Sequence, residues 1–214
     1  MTTPRLARTT AVVAKAAKTV TFGIAAMGAV AVGSIAGPTA TANATDDSCA
    51  AVEVVFARGT FEAPGVGATG QAFVDALTAR LPGKAVDVYG VNYPASLNFG
   101  QAVDGITDAS NRIQSIAAQC PATKIVLGGY SQGAAVAGYT TSSVVPAGFT
   151  LPAGLSGPMP ASVASHVSAV ALFGTPDDWF LGLADRDAPP IAIGDQYTAK
   201  TIQLCATGDP VCFA

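Results

Sequence analysis

Lys124-Ile125-Val126-Leu127-Gly128-Gly129-Tyr130-Ser131-Gln132-Gly133 is the stretch that decides the fold of this 214-residue chain. Lys124 to Tyr130 is an apolar, β-forming run. It closes on Gly-x-Ser-x-Gly, the pattern by which a strand-to-helix turn presents a nucleophilic serine. The segment that follows, Ala134-Ala135-Val136-Ala137-Gly138-Tyr139, has the small side chains a helix needs to sit close against a sheet. In such a turn the serine adopts a strained backbone conformation, and the flanking glycines remove Cβ atoms that would collide. The bland alternative is an ordinary glycine-rich turn between a strand and a helix.

Outward from this block the same alternation repeats. Ala51 to Ala57 reads as a strand, Gly59 to Gly70 as a glycine-studded loop and Gln71 to Leu81 as an amphipathic helix. Ala85 to Val91 is a second strand. Ala102 to Ala118 is a helix whose Val103, Ile106, Ile113 and Ile116 are spaced for one buried face. Val167 to Phe173 gives a fourth strand and Lys200 to Leu204 a short fifth. Strands alternating with helices, and nearly all apolar where buried, predict a parallel sheet covered on both faces. Two stretches break the order. Val145 to Pro160 carries prolines at 146, 152, 158 and 160 and reads as a surface loop. Asp177 to Gly194 reads as irregular, and its Trp179, Phe180 and Leu181 admit two roles, lining an acyl-chain groove or pinning the loop to the core.

The first 44 residues stand apart from the domain that occupies 45–214. Arg5, Arg8, Lys15 and Lys18 form a basic leader, Val20 to Ala36 carries no charge, and Ala40-Thr41-Ala42 or Ala42-Asn43-Ala44 offers a cleavage site. This predicts a signal peptide and a secreted product, against the alternative of a retained membrane anchor. No second apolar run of that length follows, so no membrane span is expected after cleavage. All 14 acidic residues but only 7 of the 11 basic ones follow position 44, giving the exported part a formal charge of −7. Nucleic acid is excluded as a partner on that ground. Oligomeric state has no signature in the sequence.

Cys49, Cys120, Cys205 and Cys212 make an even count in an exported chain, which predicts two disulfides with three possible pairings. Nearness in sequence favours Cys205 with Cys212, leaving Cys49 with Cys120. That longer loop would stabilise the fold by about 4 kcal/mol in the chain-entropy description. Zinc is a poor fit to a chain with one histidine and no close Cys-x-x-Cys pair.

Acyl transfer through Ser131 requires an imidazole to take the hydroxyl proton and a carboxylate to orient that imidazole. Asp209 is the candidate carboxylate, since it follows the fifth strand inside Cys205-Ala206-Thr207-Gly208-Asp209-Pro210-Val211-Cys212. Its alternative role is a plain turn residue in a Gly-Asp-Pro corner. An oxyanion hole needs main-chain N–H groups aimed at the developing charge. The amide of Gln132 supplies one, and the loop Arg58-Gly59-Thr60 the second, where the Thr60 hydroxyl can also donate. No metal or organic cofactor is called for.

Four blocks carry a resemblance. Phe56-Ala57-Arg58-Gly59-Thr60, Val91-Asn92-Tyr93-Pro94-Ala95, Gly128 to Gly133 and Cys205 to Cys212 together resemble the cutinases, in particular the secreted cutinase-like esterases of mycobacterial type. The resemblance runs from Cys49 to Cys212. It implies a compact α/β-hydrolase fold with five parallel strands and no large lid, and hydrolysis of lipid-like or polyester acyl esters by Ser131 and Asp209. It further implies an oxyanion hole of Thr60 and Gln132, and a Cys49–Cys120 bridge. One departure stands out: the resemblance places the catalytic histidine after the second cysteine of the last block, whereas this sequence ends at Ala214. His166, the only histidine, precedes the fourth strand, and seven strand residues put it roughly 20 Å from the level of Ser131. Either the sequence is incomplete, or the esterase is impaired and lacks its last helix. A non-catalytic secreted protein that keeps the fold to bind lipid or a surface is the alternative function.

Overall fold

The computed structural model describes residues 49–147 and 150–212. The expected signal peptide lies outside the described residues. Five strands form one parallel sheet: β1 (Val52–Ala57), β2 (Val86–Gly90), β3 (Lys124–Tyr130), β4 (Val167–Phe173) and β5 (Thr201–Leu204), in the order β2-β1-β3-β4-β5. β1, every residue of which is buried, lies beside β3, buried along most of its length. Near-continuous apolar runs become central strands because both of their faces need cover.

Helix α1 (Gly67–Arg80) covers one face. Its Val74 joins Val54, Phe56 and Val126, with Phe73 and Phe173 packed against them. Gly70 is required there, because a Cβ would stand 2.6 Å from the Phe56 ring. Helices α2 (Ala102–Gln119) and α3 (Gln132–Thr140) cover the other face, where Ile113, Leu127, Val136, Val170 and Leu172 form the larger core. Cys49–Cys120 ties the start of β1 to the end of α2, and Cys205–Cys212 closes the loop after β5, with Cα separations of 5.6 and 5.7 Å. Glu53, on the buried β1, pairs with Arg112 of α2 at 2.6 Å.

Most boundaries match the sequence expectation within a residue or two, with two exceptions. α1 begins at Gly67, four residues before Gln71, because the Glu62 carboxylate accepts from the Ala68 N–H 2.7 Å away and satisfies an orphan donor of its first turn. The stretch Asp177 to Gly194 is not wholly irregular. It contains α5 (Asp178–Ala184), capped by the Asp177 side chain, which accepts from the Phe180 N–H at 2.8 Å. Short α4 (Ala161–Ala164) and α6 (Asp195–Thr198) precede β4 and β5. Leu181 is buried and pins α5 to the body, the second of the two roles offered for this trio, whereas Trp179 is 66% exposed.

Ile202 and Leu204 of β5 are 55% and 53% exposed. They pair in register with Ala171 and Phe173, so they lie on the α1 side of the sheet, and among the described residues no helix covers that edge. No helix of the described residues is long and apolar enough to cross a membrane.

Candidate active site

Because β3 and β1 are neighbours while the chain runs outward from them in both directions, the sheet changes winding between these two strands. In open α/β sheets that switch point leaves a crevice at the carboxyl ends of the strands, where ligands bind. Ser131 follows β3 and Thr60 follows β1, so both stand at that crevice.

The turn around Ser131 has the strain its sequence predicts. Ser131 has φ +54°, in the left-handed region that costs a non-glycine residue about 1–3 kcal/mol. Among the described residues Phe61 (φ +65°) and Ala95 (φ +50°) are the other such non-glycine residues, and they follow β1 and β2. All three therefore sit at one end of the sheet. Gly129 and Gly133 have no positive φ, and their reason is space. A Cβ on Gly129 would lie 2.1 Å from the Gly133 carbonyl oxygen, and one on Gly133 would lie 2.0 Å from that of Ala57. The elbow is fastened to β4 by the Ser131 N–H, which donates to the Phe173 carbonyl at 2.8 Å.

Gln132 opens α3, so its main-chain N–H is among the first-turn donors without an intrahelical acceptor. Its side chain is almost fully buried and donates through Nε2 to the Ser96 carbonyl at 2.9 Å. The helix start is thereby fixed to the loop after β2. Thr60 is half-buried on a loop held from several sides. The Gly59 N–H donates to Glu62 Oε2 at 2.6 Å, and the Phe61 N–H to the Ala95 carbonyl at 2.7 Å.

Arg58, a residue to which sequence reasoning gave no role, is central to this arrangement. Only 5% exposed, it donates from Nε to the Glu62 main-chain carbonyl at 2.8 Å, from Nη1 to that of Val91 at 3.3 Å and from Nη2 to that of Tyr93 at 2.6 Å. The Tyr93 hydroxyl returns a bond to the Arg58 carbonyl, and the guanidinium lies 5.1 Å from the Tyr93 ring centre. Burial raises the Tyr93 phenol well above its ordinary pKa, so it stays a donor. A charged residue directly after the apolar run Val54-Val55-Phe56-Ala57 was the available signal.

Asp209 lies on the disulfide-closed loop after β5, with its Oδ1 accepting from the Val211 N–H at 2.9 Å. Its Oδ2 is 3.5 Å from where a Cβ on Gly174 would stand, and the Tyr130 ring is 3.5 Å from the same point. On its other edge that ring meets Gly59, where a Cβ would be only 2.8 Å away. Tyr130 is thus flanked by the glycine beside Thr60 and the glycine beside Asp209, and Ser131 follows it in the chain. His166 is at the opposite end: its carbonyl accepts from the Ile125 N–H, before β4 begins. Among the described residues no three His, Cys, Asp or Glu side chains converge as a metal would need.

A five-stranded parallel sheet with helices on both faces and a serine on a strained turn after the third strand defines an α/β hydrolase. The sequence profile named Cutinase matches residues 48–214, and the chain belongs to the cutinase family. It is 47% identical over 167 residues to carboxylesterase Culp1 of Mycobacterium tuberculosis H37Rv, covering 78% of this chain and 70% of that protein. To phospholipase Culp4 of the same strain it is 47% identical over 165 residues, 77% of this chain and 67% of that one. A Trichoderma reesei cutinase in complex with a phosphonate inhibitor superposes with a TM-score of 0.56 at 35% identity, covering 77% of this chain but 64% of the other. The catalytic core domain of acetyl xylan esterase from the same fungus gives 0.57 at 26% identity, covering 77% of this chain and 86% of that domain.

Proposed function

We propose that this protein is a secreted serine esterase that hydrolyses carboxylic esters of lipid-like or polyester acyl groups through an acyl-enzyme on Ser131. The observation that carries the reading is the backbone of Ser131, strained at φ +54° at the switch point of the sheet, with Gly129 and Gly133 allowing the close approach. Ser131 Oγ attacks the ester carbonyl, whose electron pair moves onto oxygen and is met by the Gln132 N–H and by Thr60. The Ser131 proton would have to pass to an imidazole, which His166 is not placed to supply, and from it to the departing alkoxide, after which water would cleave the acyl-enzyme by the same route. Asp209, steadied by the Val211 N–H and the Cys205–Cys212 bridge, orients that imidazole.

Exposed apolar residues follow the carboxyl ends of the strands: Phe61 after β1, Leu97 after β2, and Trp179 with Leu183 on α5 after β4, each at least 66% exposed. They suit a water-insoluble or lipid-like ester. The relatives named as carboxylesterases and as a phospholipase bracket the same class. Residues 1–44 act as the export signal in this reading, and two disulfides fit an oxidising destination.

His166, the only imidazole of the 214 residues, stands at the wrong end of the sheet to serve Ser131. A polypeptide of these residues alone should keep only the binding and oxyanion contribution, about 10³ to 10⁴ over water. A second reading is a non-catalytic module that binds lipid or a surface, which the exposed Phe61, Leu97, Trp179 and Leu183 would equally suit.

Labelling with a fluorophosphonate tests the proposal. Two proteins are compared, the 214-residue chain and one extended by whatever the gene encodes past codon 214. Faster labelling of the extended protein, at Ser131 and absent in Ser131→Ala, is expected. Ester hydrolysis that survives Ser131→Ala refutes it, and an extension without histidine favours the binding module.

A further inference from the structure

A main-chain oxyanion donor makes no demand on its own side chain, since every residue but proline carries the same N–H. The residue after Ser131 could therefore be small or apolar. It is Gln132, only 1% exposed, and its side-chain amide is half-satisfied. Nε2 donates to the Ser96 carbonyl at 2.9 Å, while Oε1 is buried with no partner among the described residues. Turning the amide over would set Oε1 against the Ser96 carbonyl oxygen, so the Ser96 bond fixes the orientation and leaves the acceptor orphaned. A methionine of similar length would fill this space and bury no orphan. The reason for glutamine here is what its donor holds.

That donor holds one of two consecutive carbonyls. The neighbouring Ala95 carbonyl accepts from the Phe61 N–H at 2.7 Å, and Phe61 and Ala95 both lie in the left-handed region, at φ +65° and +50°. Backbone of that kind persists only where its surroundings over-determine it. The Phe61 N–H belongs to the planar peptide unit that starts at the Thr60 carbonyl, so this bond fixes how the chain leaves Thr60. The Gln132 side chain, the Ser96 and Ala95 carbonyls and the Phe61 N–H thus form a continuous path from the first turn of α3 to Thr60. Arg58 steadies the same two loops at Glu62, Val91 and Tyr93, but none of its bonds reaches Ala95, Ser96 or α3. The two ends of the path are the two oxyanion donors of the esterase reading.

We propose that the Gln132 side chain is a positioning group that sets the distance between its own main-chain N–H and Thr60, so that one residue supplies half of the oxyanion hole and aligns the other half; the inference rests on the serine-esterase reading. The test removes the donor and keeps the volume, by Gln132→Met, in the 214-residue chain and in the extended protein. Amide exchange followed by NMR should show the Phe61 N–H exchanging faster by about tenfold or more. The Ser131 and Gly174 N–H groups, held by the carbonyls of Phe173 and Leu204, should be unchanged, whereas a general loss of stability would speed all three.

In the extended protein the limiting rate of inactivation by a fluorophosphonate should fall by about tenfold or more, since one oxyanion donor is misaligned. Its half-saturating concentration should stay the same, because the charge on the phosphoryl oxygen develops only during reaction. Gln132→Asn, one methylene short of Ser96, should give the same pattern and decides if the Met variant does not fold. Either readout equal to the parent's in a folded variant overturns the proposal. A parent whose Ser131 does not label sinks the esterase reading instead, and Phe61 exchange then decides whether Gln132 ties the two loops.

Discussion

Replacing Arg58 should loosen both loops that frame the crevice, and the size of the effect follows from its contacts. The guanidinium makes two short bonds, to the carbonyls of Glu62 and Tyr93 at 2.8 and 2.6 Å, and a longer one to Val91 at 3.3 Å. Hydrogen bonds to a charged group contribute about 1.5–3 kcal/mol each. Arg58→Met fills similar space but leaves those carbonyls without a donor. The long bond adds little, and water can reach the partly buried Glu62 carbonyl, so the net loss should be about 3–4 kcal/mol. Arg58→Lys keeps a charge but not the fork, and one ammonium cannot face three carbonyls in divergent directions, so about half the loss should remain. Urea unfolding gives the stabilities, and the rate of fluorophosphonate labelling reports whether Thr60 and Gln132 stay aligned. A Met variant within 1 kcal/mol of the parent, or a Lys variant equal to it, would refute the idea that Arg58 staples the loops after β1 and β2.

Other expectations are narrower. Gly133→Ala drives a Cβ to 2.0 Å from the Ala57 carbonyl and must push α3 off β1; a misplacement near 1 Å costs about 100-fold in rate, so labelling of Ser131 should fall about that much. Cys49→Ala with Cys120→Ala opens a loop of sequence separation 71 and should lower stability by about 4 kcal/mol, read from urea unfolding with midpoint and m-value both fitted, since the unlinked denatured chain exposes more surface and raises m. Burial, with Asp185 and Asp178 nearby, pushes the Tyr139 phenol up to about 12 from 10.0. The unfolded chain therefore ionises first, and the stability present in full below pH 10 is lost as the pH rises through about 12. Tyr139→Phe should show a shallower decline over that window in thermal melts, and an identical decline would argue against the assignment.

Much of this protein was readable without coordinates because its information is local. The β-branched run Val52–Ala57 reads as a buried strand, and Gly129-Tyr130-Ser131-Gln132-Gly133 prescribes a turn whose crowding the two glycines relieve. Those patterns lead to the sheet, its parallel sense and the position of Ser131 on it. Helix ends were less legible where a distant side chain set them: α1 starts at Gly67 because Glu62 caps it, and nothing in Gly65-Val66-Gly67 announces that. The α5 helix was missed because seven residues carry too short an apolar period to read.

The sequence by itself determined the layered fold and the four motifs that lie on it, since hydrophobic period and steric need are properties of neighbouring residues. Only the tertiary structure decided that Gly59, Tyr130, Gly174 and Asp209 form one contiguous line at the end of the sheet. It alone gave Arg58 its carbonyls and left Val103 and Ile106 facing a cavity. Each of these depends on residues from different strands and helices meeting across the sheet, and spacing along one segment holds no record of what that segment will touch.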